Sequence, residues 1–513
     1  MNATPRIQRE VVSPRPARDP ADVVKRTVRR SASQICSERK ERSSDGCRRM
    51  PATFPSRLKC EQTPTAAPDD ISAKQSVARR EVLATSVGAT LLATPFSPAH
   101  ALLSVKNPDG GGEAVAYELP VEVRILALQG SVPSNWLPEF RKTQYKSSRV
   151  HVSQKPELVD IYNELQKRKA MQEKMLAGAA KGKGKASDNF DVCTLGDSWL
   201  TPAISKGLLS PMTSPEYLEL FRTLPVQMQQ LARRDKQGQL SSNGSVWGLP
   251  YRWGSTLFAY RVDKLQQRKI LPPADWADLW RPEFKGRIAM VDSPREVVGA
   301  ALKACGLTYN TPDIAAAGCM PDVSDRLQAL MQQVKFFSNT EMLKALAAGE
   351  VFVVVGWSPE LLSAAMKSTN VGIVMPASGT SLWADLWTLP ANLTNRPSPL
   401  ASQWIEFTLK ERRMQKSRGL RGGASPLMLP SISSKPQAKG AKCQVKTASV
   451  ESDYLDYNTA MSRRKERDRD LVNGLMPSTE ILAASEFLLP LSNTANAQYR
   501  QLITTMNTRK PRS

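Results

Sequence analysis

From Val121 to Arg418 the chain repeats one alternation: a short apolar or β-branched run, then the three-to-four-residue apolar spacing of an amphipathic helix. Residues 121–128 (VEVRILAL) alternate and then run apolar, as a strand buried on both faces does, and Pro133-Ser134-Asn135 opens a helix at Trp136. The spacing predicts a helix over 156–175 and strands over 190–195, 247–249, 257–262, 287–291, 351–357, 371–375 and 382–389. Further helices are predicted over 295–304, 323–334, 340–348 and 400–418. Strands alternating with helices define an α/β fold with largely parallel sheets. A weaker helical ending covers 478–506, and residues 433–477, dominated by Lys, Ser, Glu and Arg, read as a low-complexity insertion.

At 513 residues the chain exceeds one ordinary domain, which points to two lobes or more. Its two histidines are His100 and His151, so a multi-histidine zinc centre is excluded and a Ser-His or Cys-His pair would rest on His151 alone. The chain is therefore not expected to be an enzyme, and no catalytic residue, metal or cofactor is assigned. Cys193, Cys305, Cys319 and Cys443 form no CxxC pair; Cys305 and Cys319 lie near enough in sequence for a disulfide to be testable. Of the formal charge of +23, residues 1–101 carry 18 Lys and Arg against 10 Asp and Glu. Much of the remaining excess gathers in Lys181 to Lys185 and Arg463 to Arg469, loop-like tracts without interleaved aromatics, which argues against nucleic acid.

Residues 1–75, rich in Arg, Ser, Pro and Ala, read as a disordered transit peptide. Over 76–101 a twin arginine, Arg79-Arg80, precedes an uncharged stretch from Leu83 to Phe96 that ends in Pro98-Ala99-His100-Ala101, a small-x-small cleavage pattern. The order resembles the bipartite leaders of chloroplast proteins, in which a stromal transit peptide precedes a twin-arginine thylakoid signal. The expected location is the thylakoid lumen. No apolar segment is long enough for a membrane span.

Four stretches are more specific: WGLPYRWGSTLFAYRVDKL at 247–265, WADLWRPEFKGRIAMVDSPREV at 276–297, VFVVVGWSPEL at 351–361 and SLWADLWTLP at 381–390. In this order, and with a looser FDVCTLGDSWL at 190–200, they resemble the spermidine/putrescine-binding proteins of bacterial ABC importers over roughly 121–430. The resemblance implies a two-lobed periplasmic-binding-protein-like fold of type II, in which strands cross between lobes that close by hinge motion. Lobe 1 is expected from 121–250 plus 386–430 and lobe 2 from 251–384 plus 478–506, with crossings near Pro250 to Gly254 and Trp383 to Asp385. The segment from Trp276 to Gly286 is expected to be structural.

The same resemblance implies the ligand residues. Trp383 and Asp385 match a Trp-x-Asp whose ring and carboxylate contact the ligand; the alternative is a core tryptophan and a turn-capping aspartate. Trp357 aligns with a tryptophan that flanks the alkyl chain, or is core. Glu296 aligns with an amine-gripping carboxylate, yet Ser293-Pro294-Arg295-Glu296 is also a capping box. Ser293 stands where a second acid is usual, with Asp292 beside it as a substitute, and Leu128, Ser131 and Ser198, the last beside Trp199, replace expected aromatics. A protonated polyamine wants aromatic walls for its methylenes and carboxylates or π faces for its ammonium groups. With the aromatic box thinned, either the ligand differs and is smaller, or the cleft has lost transport binding. The leading expectation is a non-enzymatic, transport-related binder of a small cationic, putrescine- or spermidine-like solute; the alternative is an accessory or assembly factor that meets a thylakoid protein partner.

Overall fold

A computed structural model describes residues 121–144, 148–177, 190–391, 398–410, 423–430, 443–446 and 476–505, the backbone of 103–106, 113–116 and 506–508, and the positions Leu420, Ser462 and Arg469. The leader with its twin arginine, the Lys181 to Lys185 tract and most of 433–477 lie outside the described residues.

The chain lays down β1 (Glu122–Leu128), α1 (Trp136–Lys142), β2 (Arg149–Lys155), α2 (Leu158–Leu176), β3 (Val192–Gly196) and α3 (Asp197–Ser205). Strand β1 pairs in parallel with β2 on one side and β3 on the other. After a long connection comes β4 (Leu249–Arg261), whose first twelve residues are all buried. There follow β5 (Ile288–Met290), α4 (Pro294–Ala304), α5 (Met320–Gln333), β6 (Val334–Phe337), α6 (Met342–Ala348), β7 (Val353–Trp357), α7 (Ser358–Lys367) and β8 (Val371–Val374). The chain then returns through β9 (Ser381–Pro390) and α8 (Pro399–Leu409) and ends in β10 (Glu486–Phe487) and α9 (Asn493–Thr508).

Spatial order is β6-β5-β7-β4-β9-β3-β1-β2. Strands β4 and β9 are the shared pair. The second half of β4 pairs antiparallel with β7 and β8, while β9 pairs with β10 at its start and with β3 from Asp385 to Thr388. Between themselves β4 and β9 run antiparallel from Leu382↔Ser255 to Asp385↔Arg252, where the register shifts to Leu386↔Pro250. Pro250 has no N–H to give the ladder, and a bulge is where a sheet tolerates that loss. The two halves of the sheet therefore meet at 252–255 and 382–385.

Each half has its own aromatic lock. In lobe 1, Trp387 stacks on Tyr251 at 4.2 Å and meets Trp404 edge-on at 5.8 Å, and Trp404 in turn abuts Phe140 at 5.2 Å. This fastens both crossing strands to α8 and α1. In lobe 2, the fully buried Trp276 packs edge-on against Phe258 at 5.0 Å and donates from Nε1 to the Gly379 carbonyl at 2.8 Å, in a turn closed by an Asp275 capping box. No helix among the described residues is long and apolar enough to cross a membrane.

Several expectations change. The strands predicted at 247–249 and 257–262 are one 13-residue strand, because burial on both faces along its length removes any alternation that would have joined them. Strand β2, a polar edge, was not anticipated, and Val334, predicted as the end of a helix, instead begins β6 after Gln333. The helix expected to reach Arg418 stops at Leu409, where Lys410 turns extended; 411–419 lie outside the described residues. The sheet is mixed: its outer pairs are parallel, but the crossing pairs are antiparallel. Nor is 433–477 wholly a linker, since Gln444 and Lys446 donate backbone N–H groups to the Cys305 and Ala304 carbonyls at the end of α4.

Candidate functional site

The site forms where β4, β9 and the first turn of α7 converge. Gly254 lies opposite Trp383 in the ladder, and a Cβ added to it would stand 2.2 Å from Trp383 Cζ2 and 2.6 Å from Ser358 Oγ. Only glycine lets the indole and the helix start approach the strand this closely. Ser358 Oγ accepts the Ser255 N–H at 3.2 Å, anchoring α7 to the crossing. Trp357 is half-buried in the extended residue that starts this helix, and Trp383 is half-buried across from Gly254. Trp383 Nε1 is buried with no hydrogen-bond partner among the described residues.

Asp385 is not open to a ligand. Its Oδ2 accepts from Arg252 Nε at 2.6 Å and Nη2 at 2.6 Å, both residues are buried, and the same guanidinium lies 5.4 Å from the centre of the Trp383 ring. Burial pushes the Asp385 carboxyl up and Arg252, which keeps its proton throughout the accessible range, opposes it. Gly423, at φ +88, holds the arginine's stem in place: a Cβ there would sit 2.9 Å from Arg252 Cδ.

Glu296 is likewise withdrawn. It is 2% exposed, and both carboxylate oxygens accept from Ser381 Oγ at 2.8 Å. Burial pushes its carboxyl up to about 7 against that hydrogen bond. The capping box does not form either, because Ser293 starts α4 without any side-chain cap bond. Asp292 is exposed at the end of β5, its N–H given to Asn339 Oδ1 at 3.0 Å, and Ser293 beside it is half-buried. Trp199 packs on α2, its ring 4.9 Å from that of Tyr162, and a Cβ on Gly196, the ladder partner of Asp385, would stand 3.6 Å from Trp199 Cδ1. Ser131 is buried, and Leu128 is half-buried.

Four residues were missed. Arg252 pairs with an aspartate 133 positions away, a partnership visible only through the strand register. Glu360, in the first turn of α7, is an exposed residue whose charge is felt by Arg252; burial of its carboxyl group raises it, and Arg252 opposes that. Asp197, buried at the start of α3, is pushed up to about 7 by burial, against Arg234 and backbone N–H donors. Ser381, the first residue of the SLWADLWTLP motif, donates its hydroxyl to the Glu296 carboxylate, a contact the motif does not signal. Among the described residues no group of His, Cys, Asp and Glu is arranged to hold a metal ion.

The fold and this crossing define a two-lobed α/β protein of the periplasmic-binding-protein type. Comparison agrees: the profile of the bacterial extracellular solute-binding protein family matches residues 187–458, and the chain belongs to that family. It is similar to the spermidine/putrescine-binding periplasmic protein of Escherichia coli K12, 31% identical over 167 residues that cover 32% of this chain and 45% of that protein. A putrescine-binding periplasmic protein of the same organism is 22% identical over 263 residues, 49% of this chain and 66% of that one. The chain thus spans about half the length of the relatives it matches. Two solved structures share the fold. The spermidine/putrescine transporter substrate-binding protein of Streptococcus pneumoniae gives a TM-score of 0.51 at 18% identity, covering 76% of this chain and 99% of that one. A Treponema pallidum lipoprotein gives 0.50 at 14% identity, covering 76% and 100%.

Proposed function

We propose that the protein captures a small organic cation, without chemistry, between its two lobes. The observation that carries this is Glu360, an exposed acidic residue set one turn after Trp357 in the helix that abuts Trp383. An acid beside indole faces is what an alkylammonium group needs once lobe closure excludes water. The names of the relatives, which bind spermidine and putrescine, support an amine. The test is a thermal-shift panel of monoamines, putrescine, spermidine, amino acids and inorganic anions, since a ligand that binds only the native state raises its melting temperature. Amines should shift the transition; a shift with anions alone would refute the proposal.

A second reading has its own support. Asp385 is spent on Arg252 and Glu296 on Ser381, so two acids expected to hold a polyamine are unavailable. This favours an accessory factor that keeps the fold without transport, and the absence of any small-molecule shift would bring it forward. We further infer from the leader a location in the thylakoid lumen. Changing Arg79 and Arg80 together to Lys should strand an intermediate in the stroma, and unimpaired arrival in the lumen would refute the inference.

A further inference from the structure

A carboxylate under an indole face at a lobe crossing is a place for a cation, and in this protein the chain supplies the cation itself. Arg252 donates twice to Asp385 Oδ2, at 2.6 Å from each nitrogen, and lies 5.4 Å from the Trp383 ring centre. It is not a surface side chain that happens to lean in: it is 8% exposed, projects from the middle of a buried strand, and has its methylenes clasped by the close approach of Gly423. Trp253 and Ala424, the neighbours of the two clasped residues, exchange backbone hydrogen bonds at 2.9 and 2.7 Å, which fixes that segment over the arginine.

We propose that Arg252 is the specificity-determining residue of the cleft: its guanidinium fills the Asp385–Trp383 place that a ligand ammonium would otherwise take, and leaves Glu360 as the acceptor for a short, singly charged amine. The proposal rests on the cationic-solute reading and sharpens it. An ammonium brought to Asp385 meets a carboxylate whose charge is already matched and a positive guanidinium beside it, so the second end of a diamine gains nothing there and is repelled. Among the described residues placed at the crossing above, Glu360 is the exposed acidic one, one turn into α7. The ligand class that fits is a monoamine with a short apolar body for the faces of Trp357 and Trp383.

Calorimetry on the full chain tests this, with propylamine and putrescine titrated into the wild type, Arg252→Met and Arg252→Gln. Met preserves the stem and removes the charge; Gln keeps a neutral donor toward Asp385, and each variant's fold is checked by circular dichroism and urea unfolding. Arg252→Lys, which retains a cation, is the control. Freeing Asp385 should improve putrescine binding about 10-fold or more, the worth of a hydrogen bond to a charged group. Propylamine affinity should change little, and Arg252→Lys should resemble the wild type. Equal putrescine affinity in the wild type and both uncharged variants overturns the assignment of Arg252 while the cation reading stands. If no amine binds any of the four proteins, the cation reading fails and this inference falls with it.

Discussion

Replacing Asp385 with Asn changes one oxygen for an amide and tests whether the carboxylate serves the fold or a ligand. Two hydrogen bonds at 2.6 Å join it to a guanidinium that is itself buried and cannot discharge its proton. In Asp385→Asn the arginine keeps its charge inside the protein without the counter-ion it is hydrogen-bonded to, and with the carboxylate of Glu360 acting on it only as a neighbouring charge. Breaking a buried ion pair from one side costs about 3–5 kcal/mol, and because Asn still accepts one hydrogen bond the expected loss is at the lower end, about 3 kcal/mol. For a protein of this size that is a fall of roughly 3–5 °C in melting temperature. Urea unfolding followed by tryptophan fluorescence reads the loss as a lower midpoint at unchanged slope. The companion variant removes both charges: Arg252→Met with Asp385→Leu should recover to within about 1 kcal/mol of the wild type, since a buried pair replaced whole by apolar side chains is often neutral. An Asp385→Asn protein as stable as the wild type, or a double variant that loses the sum of the two singles, would show that the pair does not act as a unit.

Glu360→Gln should lower the affinity for a monoamine about 10-fold or more by calorimetry while lowering the urea midpoint less than Asp385→Asn does, because Glu360 is an exposed residue that acts on the buried Arg252 only as a neighbouring charge. Glu296 and Asp197, each pushed up to about 7 from ordinary values of 4.5 and 3.8, bind more protons folded than unfolded between those limits. Stability should therefore fall as pH rises from 5 to 7.5, by up to about 1.4 kcal/mol per unit for each group, and Glu296→Gln should flatten the curve; a midpoint rising with pH would contradict their burial as acids. Trp404→Ala should cost about 3–5 kcal/mol, since it empties the junction of Trp387, Phe140 and Phe407; a loss under 1 kcal/mol would mean that the aromatic lock is not what fastens α8.

The α/β class was legible because each strand and helix declares its own period within a few residues, and Val371–Val374 or Pro294–Ala304 lie almost where the spacing put them. Pairing was not. That β4 is continuous through Pro250 and Gly254 depends on neighbours far away in sequence, and no local pattern distinguishes a strand buried on every side from two short ones. The site followed the same division. Trp357, Trp383 and Asp385 could be placed by their motifs, but a motif names residue types and not what they touch, so Asp385 was visible and Arg252, two residues into PYRWG, was passed over. Glu296 shows the limit more sharply: Ser-Pro-Arg-Glu reads as a helix start, and it is the strand beginning at Ser381 that claims the carboxylate.

The place of β9 between β3 and β4 has a consequence for how the protein is made. Cys193 and Thr388, joined across that seam at 3.1 Å, are 195 residues apart. A ribosome adding about 5–20 residues per second takes roughly 10 to 40 s between them. Throughout that interval β3 presents a bare edge, with its N–H and C=O groups unpaired and the slot for Trp387 empty, which is the kind of surface that recruits strands from other chains. Neighbouring polysomes would hold many such edges at once. The topology thus places a chaperone requirement on synthesis itself, greatest for a nascent chain stalled just before Ser381 and relieved once Leu409 has cleared the exit tunnel and α8 can close over the new strand.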